Sequence, residues 1–271
     1  MLLPLALSSA ISYSYVASIK VAEPSHIKNL HRDDRAVIEY RLRRVTELCF
    51  ALMVAVPILV TYVLRYYPTL QQSIRQLGIV PGFTNTYNWK YDLWNILLCF
   101  GKMCILYCGP LVTYMLSSPS IVQDMKEEYA SLWGFRDHLF APVTEELIYR
   151  ALILCILQPV VSSTWALTVY TPMLFGLAHL HHGWSLYKQG TSLVTVLFTA
   201  AFQFLYTTVF GILANRVYLE SGNNLWCAIV THSTCNLGGF PSFEIRKTHA
   251  RFFYVYLGLL VLGLTIFVKI I

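Results

Sequence analysis

At 271 residues, 56% hydrophobic and only 13% charged, the chain carries about half the charge of a soluble domain, where roughly 25% of residues are charged. Water is therefore not its main solvent. The net charge of +6 gathers in one stretch and forms no basic face with interleaved aromatics, which excludes nucleic acid as the expected partner.

The first apolar run, Met1 to Ile19, has no basic residue ahead of it and no small-residue cleavage site before Lys20. It reads as a retained helix and not as a removed signal peptide. Lys28, Arg32, Arg35, Arg41, Arg43 and Arg44 follow in what reads as one short loop beside three acids, and the positive-inside rule places that loop in the cytosol.

The next run is Leu48 to Leu64, and behind it Arg65 to Asp92 is a turn-rich loop with Tyr67-Pro68 and Val80-Pro81-Gly82. Met103 to Gln123 is apolar again. In the loop Ser117 to His138 the charge spacing of Asp124-Met-Lys-Glu-Glu suits a surface helix. Ala151 to Tyr187 is long enough for two helices or a re-entrant pair, and Gln158-Pro159 and Ser162-Ser163 are expected to divide it, because proline removes a donor and disfavours helix just before it. Gly190 to Asn215, Ser221 to Phe243 and Phe252 to Val268 complete the series.

A span needs about 20 residues. Its backbone must be satisfied internally, and these runs lack the alternation of barrel strands, so helices are expected. The reading is an all-α, polytopic membrane protein with about eight transmembrane helices around an intramembrane cavity. No internal repeat or long linker divides it, so residues 1–271 are one domain. Seven cysteines (Cys49, Cys99, Cys104, Cys108, Cys155, Cys227, Cys235) lie in or beside apolar runs without CxxC pairs, as small core residues do.

Ionisable side chains inside spans are costly and mark functional sites by default. In Pro142-Val-Thr-Glu145-Glu146-Leu-Ile-Tyr-Arg150 the two glutamates point about 100° apart on a helix. Glu146 and Arg150 have the spacing of an in-helix ion pair, which leaves Glu145 free for chemistry. The bland reading, a helix end with acids at its positive dipole, suits Glu146 and Arg150 better than direct catalysis does.

In Phe175-Gly-Leu-Ala-His179-Leu-His181-His182, His179 emerges one turn after Phe175. His181 and His182 read as interfacial. In Val230-Thr-His232-Ser-Thr-Cys-Asn236, a histidine and an amide four apart can donate two hydrogen bonds to a developing oxyanion, or simply bridge helices. Gln203 with Tyr206, Thr207 and Thr208 reads as helix packing. The first three clusters hold a carboxylate base, a histidine and an oxyanion-type pair, the set needed to hydrolyse an amide with activated water.

A metal-assisted alternative would use Glu145, His179 and His232 as ligands. No HExxH, GxSxG or compelling Cys-His signature occurs. A non-catalytic transporter or membrane chaperone would use the same polar residues for binding, although paired broken helices in inverted repeats are not seen.

Glu145-Glu146-x-x-x-Arg150, Phe175-x-x-x-His179 and His232-x-x-x-Asn236, in this order and inside apolar helices, resemble the type II CAAX prenyl endopeptidases, the Ras-converting enzymes, within the wider glutamate intramembrane and bacteriocin-immunity proteases. The phrases Ala141-Pro-Val-Thr-Glu-Glu-Leu, Phe175-Gly-Leu-Ala-His-Leu-His-His and Ala201-Phe-Gln-Phe resemble the eukaryotic form. The likeness covers about Phe135 to Pro241, the expected catalytic core. It implies removal of the last three residues of a prenylated Cys-aliphatic-aliphatic-X tail, with Ras-type small GTPases as substrates and membrane lipid around the site. The compartment it implies is the endoplasmic reticulum membrane, with the site open to the cytosol. By the same resemblance Glu145 and His179 activate water, His232 and Asn236 stabilise the oxyanion, Glu146 and Arg150 support them, and no cofactor or metal is required.

Overall fold

The computed structural model describes residues 2–21, 23–28, 30–117, 120–248 and 250–271. Among them every regular element is helical. The chain runs through α1 (Leu2–Lys20), α2 (Arg35–Ile58, continued by a π-helical Leu59–Val63), α3 (Leu70–Gln76), α4 (Trp89–Leu106), α5 (Cys108–Ser117) and α6 (Ile121–Ala130).

Residues 132–157 form one continuous helix, α7, in which α-helical Leu132–Gly134, Ala141–Glu146 and Ile153–Leu157 alternate with π-helical Phe135–Phe140 and Leu147–Leu152. Then follow α8 (Thr164–Tyr170), α9 (Pro172–His179), α10 (His181–Lys188), α11 (Leu193–Glu220), α12 (Leu225–Gly238), α13 (Ile245–Thr248) and α14 (Phe253–Ile270).

From Glu146 to Leu157 every residue is buried, as a helix without a polar face must be. α1, α2, α9, α11 and α12 ring this half of α7, and α4, α5 and α14 pack outside α12. The outer surface is apolar instead: Phe50 and Val54 on α2, Val194 and Phe198 on α11 and Val261 on α14 are all exposed. With lipid as the solvent, such faces need no cover.

Among the described residues, four helices can cross a membrane by length and composition, Leu2–Lys20, Arg35–Val63, Leu193–Glu220 and Phe253–Ile270, and a fifth span arises if the pair Trp89–Leu106 and Cys108–Leu116, bent by 73°, counts as one. The multi-pass helical class is as expected, and these spans do not confirm the count of about eight. Met103 to Gln123 does not run as one span, because the chain bends at Tyr107. Ala151 to Tyr187 divides further than expected, into the end of α7, α8, α9 and α10. The break after Leu157 falls where Gln158-Pro159 placed it, and Ser163 caps α8 by accepting from the Ala166 N–H.

The basic loop is also shorter than its sequence reading. Arg35, Arg41, Arg43 and Arg44 lie in the first turns of α2, where Arg35–Glu39 and Arg43–Glu47 pair at i,i+4, a spacing that supports helix. The segment Ile121–Ala130 is the surface helix anticipated there. All seven cysteines are free.

Candidate active site

The ion pair expected on α7 lies in the core. Glu146 and Arg150 are both fully buried, with Arg150 Nε 3.1 Å from Glu146 Oε2 and Nη1 donating to Oε1 at 3.1 Å. Removing two charges from solvent is expensive, and the cost is met only where further partners satisfy them. Here the guanidinium lies over the Phe175 ring at 4.9 Å and near Phe210 at 5.7 Å, within the range of cation–π attraction. Room for it depends on Gly211 of α11, where an added Cβ would lie 2.7 Å from the Pro172 side chain and 3.3 Å from Arg150 Nη2.

His232 of α12 joins the two glutamates. Its Nδ1 is 2.7 Å from Glu146 Oε1, and its Nε2 is 3.8 Å from Glu145 Oε2. An ionised carboxylate only accepts, so Nδ1 carries the proton and Nε2 is the nitrogen turned to Glu145. His179 is fixed in the same manner. Its Nδ1 donates to the Phe175 carbonyl at 2.8 Å, which leaves Nε2 as the nitrogen not held by that bond. The Phe175 ring stands between the two imidazoles, with centroids 4.5 Å from His179 and 6.2 Å from His232.

Glu145 has a different setting from its neighbour. Its carboxylate accepts from the Tyr15 hydroxyl of α1 at 3.3 Å and lines a cavity of ≈ 980 Å³ together with His179, Tyr149, Gln203, His181 and His182. Tyr15, Gln203 and Tyr149 are site residues that the sequence reading did not assign. Ser8, Ser12 and Tyr15 recur at i, i+4 and i+7 on the buried face of α1, and that spacing was the available signal for Tyr15.

Asn236 stands apart from this group. It is exposed, and its Nδ2 donates to the Asp137 carbonyl at 2.7 Å, so α12 is tied to the first π segment of α7. One of its two amide protons is committed there. Close by, Arg136 holds Asp137 at 2.6 Å and reaches Asp33 in the α1–α2 loop at 2.8 Å. That hydrogen bond keeps the Asp33 carboxyl below the usual carboxylate range. Among the described residues, no three His, Cys, Asp or Glu side chains converge as a ligand set for a metal.

The pattern is a buried charge network carrying a second carboxylate and a free imidazole nitrogen to the wall of a cavity, an arrangement able to deprotonate water beside a bound carbonyl. The type II CAAX prenyl endopeptidase Rce1-like family model matches residues 128–238. CAAX prenyl protease 2 of Saccharomyces cerevisiae is 34% identical over 248 residues, covering 85% of this chain and 78% of that protein. This chain belongs to the type II CAAX prenyl endopeptidase family.

CAAX prenyl protease 2 of Homo sapiens is 31% identical over 259 residues, covering 89% of this chain and 72% of the human one. The Arabidopsis thaliana CAAX prenyl protease 2 is 31% identical over 178 residues, 65% of this chain and 53% of its own length. No solved structure matches. In this type II CAAX prenyl endopeptidase, residues 128–238 run from the last turn of α6 to the end of α12. Tyr15 and the α1–α2 loop, which complete the cavity, lie outside that segment.

Proposed function

We propose that the chain cleaves prenylated CAAX proteins, Ras-type small GTPases among them, just after the modified cysteine and releases the last three residues. The observation that carries this reading is the division of labour on α7: Glu146 is tied to Arg150 and His232 in the core, while the adjacent Glu145 faces the cavity beside His179. Glu145 and His179 Nε2 take the proton of a water whose oxygen attacks the scissile carbonyl. The same groups return a proton to the departing amine.

The oxyanion falls to His232 and Asn236. His232 Nε2 donates only when the ring carries both protons, since Nδ1 is committed to Glu146. Asn236 supplies the amide proton that Asp137 does not hold. The catalytic core is about 135–241, and the whole of 1–271 acts as one domain, because α1 brings Tyr15 to Glu145.

A membrane site suits the substrate. A prenyl chain gains about 0.8 kcal/mol per CH₂ transferred into hydrocarbon, so it enters laterally from lipid while the peptide approaches from water. The cavity is rimmed by Lys28, His31 and Arg32 of the basic loop, which the positive-inside rule assigns to the cytosol. The compartment is the endoplasmic reticulum membrane.

Tripeptide release from a farnesylated and an unprenylated tail peptide tests the reading, with purified wild-type and Glu145→Ala protein in detergent, with and without chelator. The expected result is prenyl-dependent, chelator-resistant cleavage that falls at least about 10²-fold in the variant. Loss of activity with chelator would turn the reading to the metal-assisted alternative, and absence of cleavage in every arm would turn it to binding or transport.

A further inference from the structure

The cavity carries cations that the hydrolytic cluster does not use. Lys20, the last residue of α1, reaches the Ser185 hydroxyl at 3.5 Å. Among the described residues the ion pairs of this region join Arg41 to Glu23, Arg136 to Asp33 and Asp137, and His31 and Arg32 to Asp33, and leave Lys20 out. Arg41 gives Nη2 to Glu23 at 2.9 Å, while its Nε is buried without a hydrogen-bond partner. Both cations line the same cavity as Glu145.

Orientation signalling explains cations in a cytosolic loop. It does not require a lysine and a half-satisfied guanidinium to share one cavity with the reactive carboxylate. Lys20 also lies at a particular distance. It follows Tyr15 by five positions on α1, a rise of about 7.5 Å, and the Tyr15 hydroxyl touches Glu145. Three extended residues span about 10 Å, so a peptide whose scissile carbonyl sits at Glu145 brings its C-terminus to the level of Lys20.

We propose that Lys20 and Arg41 form a carboxylate subsite that takes the C-terminal α-carboxylate of the substrate and so measures off the three residues to be released. The proposal deepens the proteolytic reading and rests on it. The carboxylate accepts a charge-assisted hydrogen bond from Lys20 Nζ, and the Arg41 guanidinium on the same cavity wall adds its positive charge. A tail extended by one residue places its carboxylate beyond both, and an amidated tail offers no charge to bind.

The test compares a farnesylated tail peptide ending in a free carboxylate with the same peptide ending in an amide, using the full-length chain as wild type, Lys20→Gln, Arg41→Gln and Lys20→Arg. Wild type is expected to prefer the free acid by about tenfold or more in kcat/KM, through KM. Lys20→Gln and Arg41→Gln should bring the ratio towards one, and Lys20→Arg should keep it. Equal cleavage of acid and amide by wild type would overturn the subsite while leaving the protease in place. So would an undiminished preference in both glutamine variants. Failure of wild type to cleave either peptide would overturn the proteolytic reading and the subsite with it. The wild-type ratio needs no variant, so a substitution that fails to fold does not shield the proposal.

Discussion

Glu145 and Glu146 are adjacent and chemically identical, and their surroundings separate them. Successive helical residues diverge by about 100°, which turns Glu146 onto Arg150 and His232 in the core and Glu145 towards the cavity. That much was legible in the spacing Glu145-Glu146-x-x-x-Arg150. What was not legible is that His232 binds Glu146 through Nδ1 and turns its other nitrogen towards Glu145, because no single helix records what a residue on another will touch. The same holds for Asn236, whose amide is turned to Asp137. A consequence concerns stability. Arg150→Leu leaves Glu146 as a buried charge with only His232 beside it, and losing one partner of a buried pair costs about 3–5 kcal/mol. A fall in the midpoint of thermal unfolding in detergent is expected, and part of it should return in the Glu146→Leu, Arg150→Leu double variant, since the two sites are coupled. A single variant as stable as wild type would show that the pair is not a structural support.

At the scale of the element, two π segments flank Ala141–Glu146 within α7. Each widens the helix locally, a device found often at functional sites, and here they bracket the α-helical stretch that carries both glutamates. Apolar periodicity carries no mark of a π turn, and this explains why the sequence showed the charges but not the segments that bracket them. The short helices α8, α9 and α10 were also illegible as separate pieces; pieces of 7 or 8 residues are too short to be stable alone and owe their form to packing. That packing has a narrow place at Gly211, where α11 passes Pro172 of α9 and Arg150. Gly211→Ala puts a methyl 2.7 Å from the Pro172 Cβ, and overpacking of this kind costs about 1–3 kcal/mol. The expected outcome is a lower unfolding temperature together with reduced activity, because the displaced group includes Arg150, the partner of Glu146. Unchanged stability and activity would mean that α9 and α11 separate freely at this point.

The molecule turns apolar side chains outwards and keeps the Glu146–Arg150 pair in its core; composition announced the apolar surface, and the charges within apolar runs announced the pair. It also gives the two ends of the bundle different chemistry. α2 with its π-helical continuation covers residues 35–63, a rise of about 43 Å, long enough to put the basic α1–α2 loop at the cavity and the loop bearing α3 on opposite sides of a bilayer. With the cavity open to the cytosol, Lys28→Cys should react with a membrane-impermeant maleimide in sealed vesicles that display their cytosolic face, whereas Gln71→Cys on α3 should react only after the membrane is permeabilised. Both positions are exposed, and none of the seven native cysteines is, so background labelling is small. The reverse pattern would place the basic loop in the lumen, and the water-borne tail of a cytosolic substrate would then have no path to Glu145.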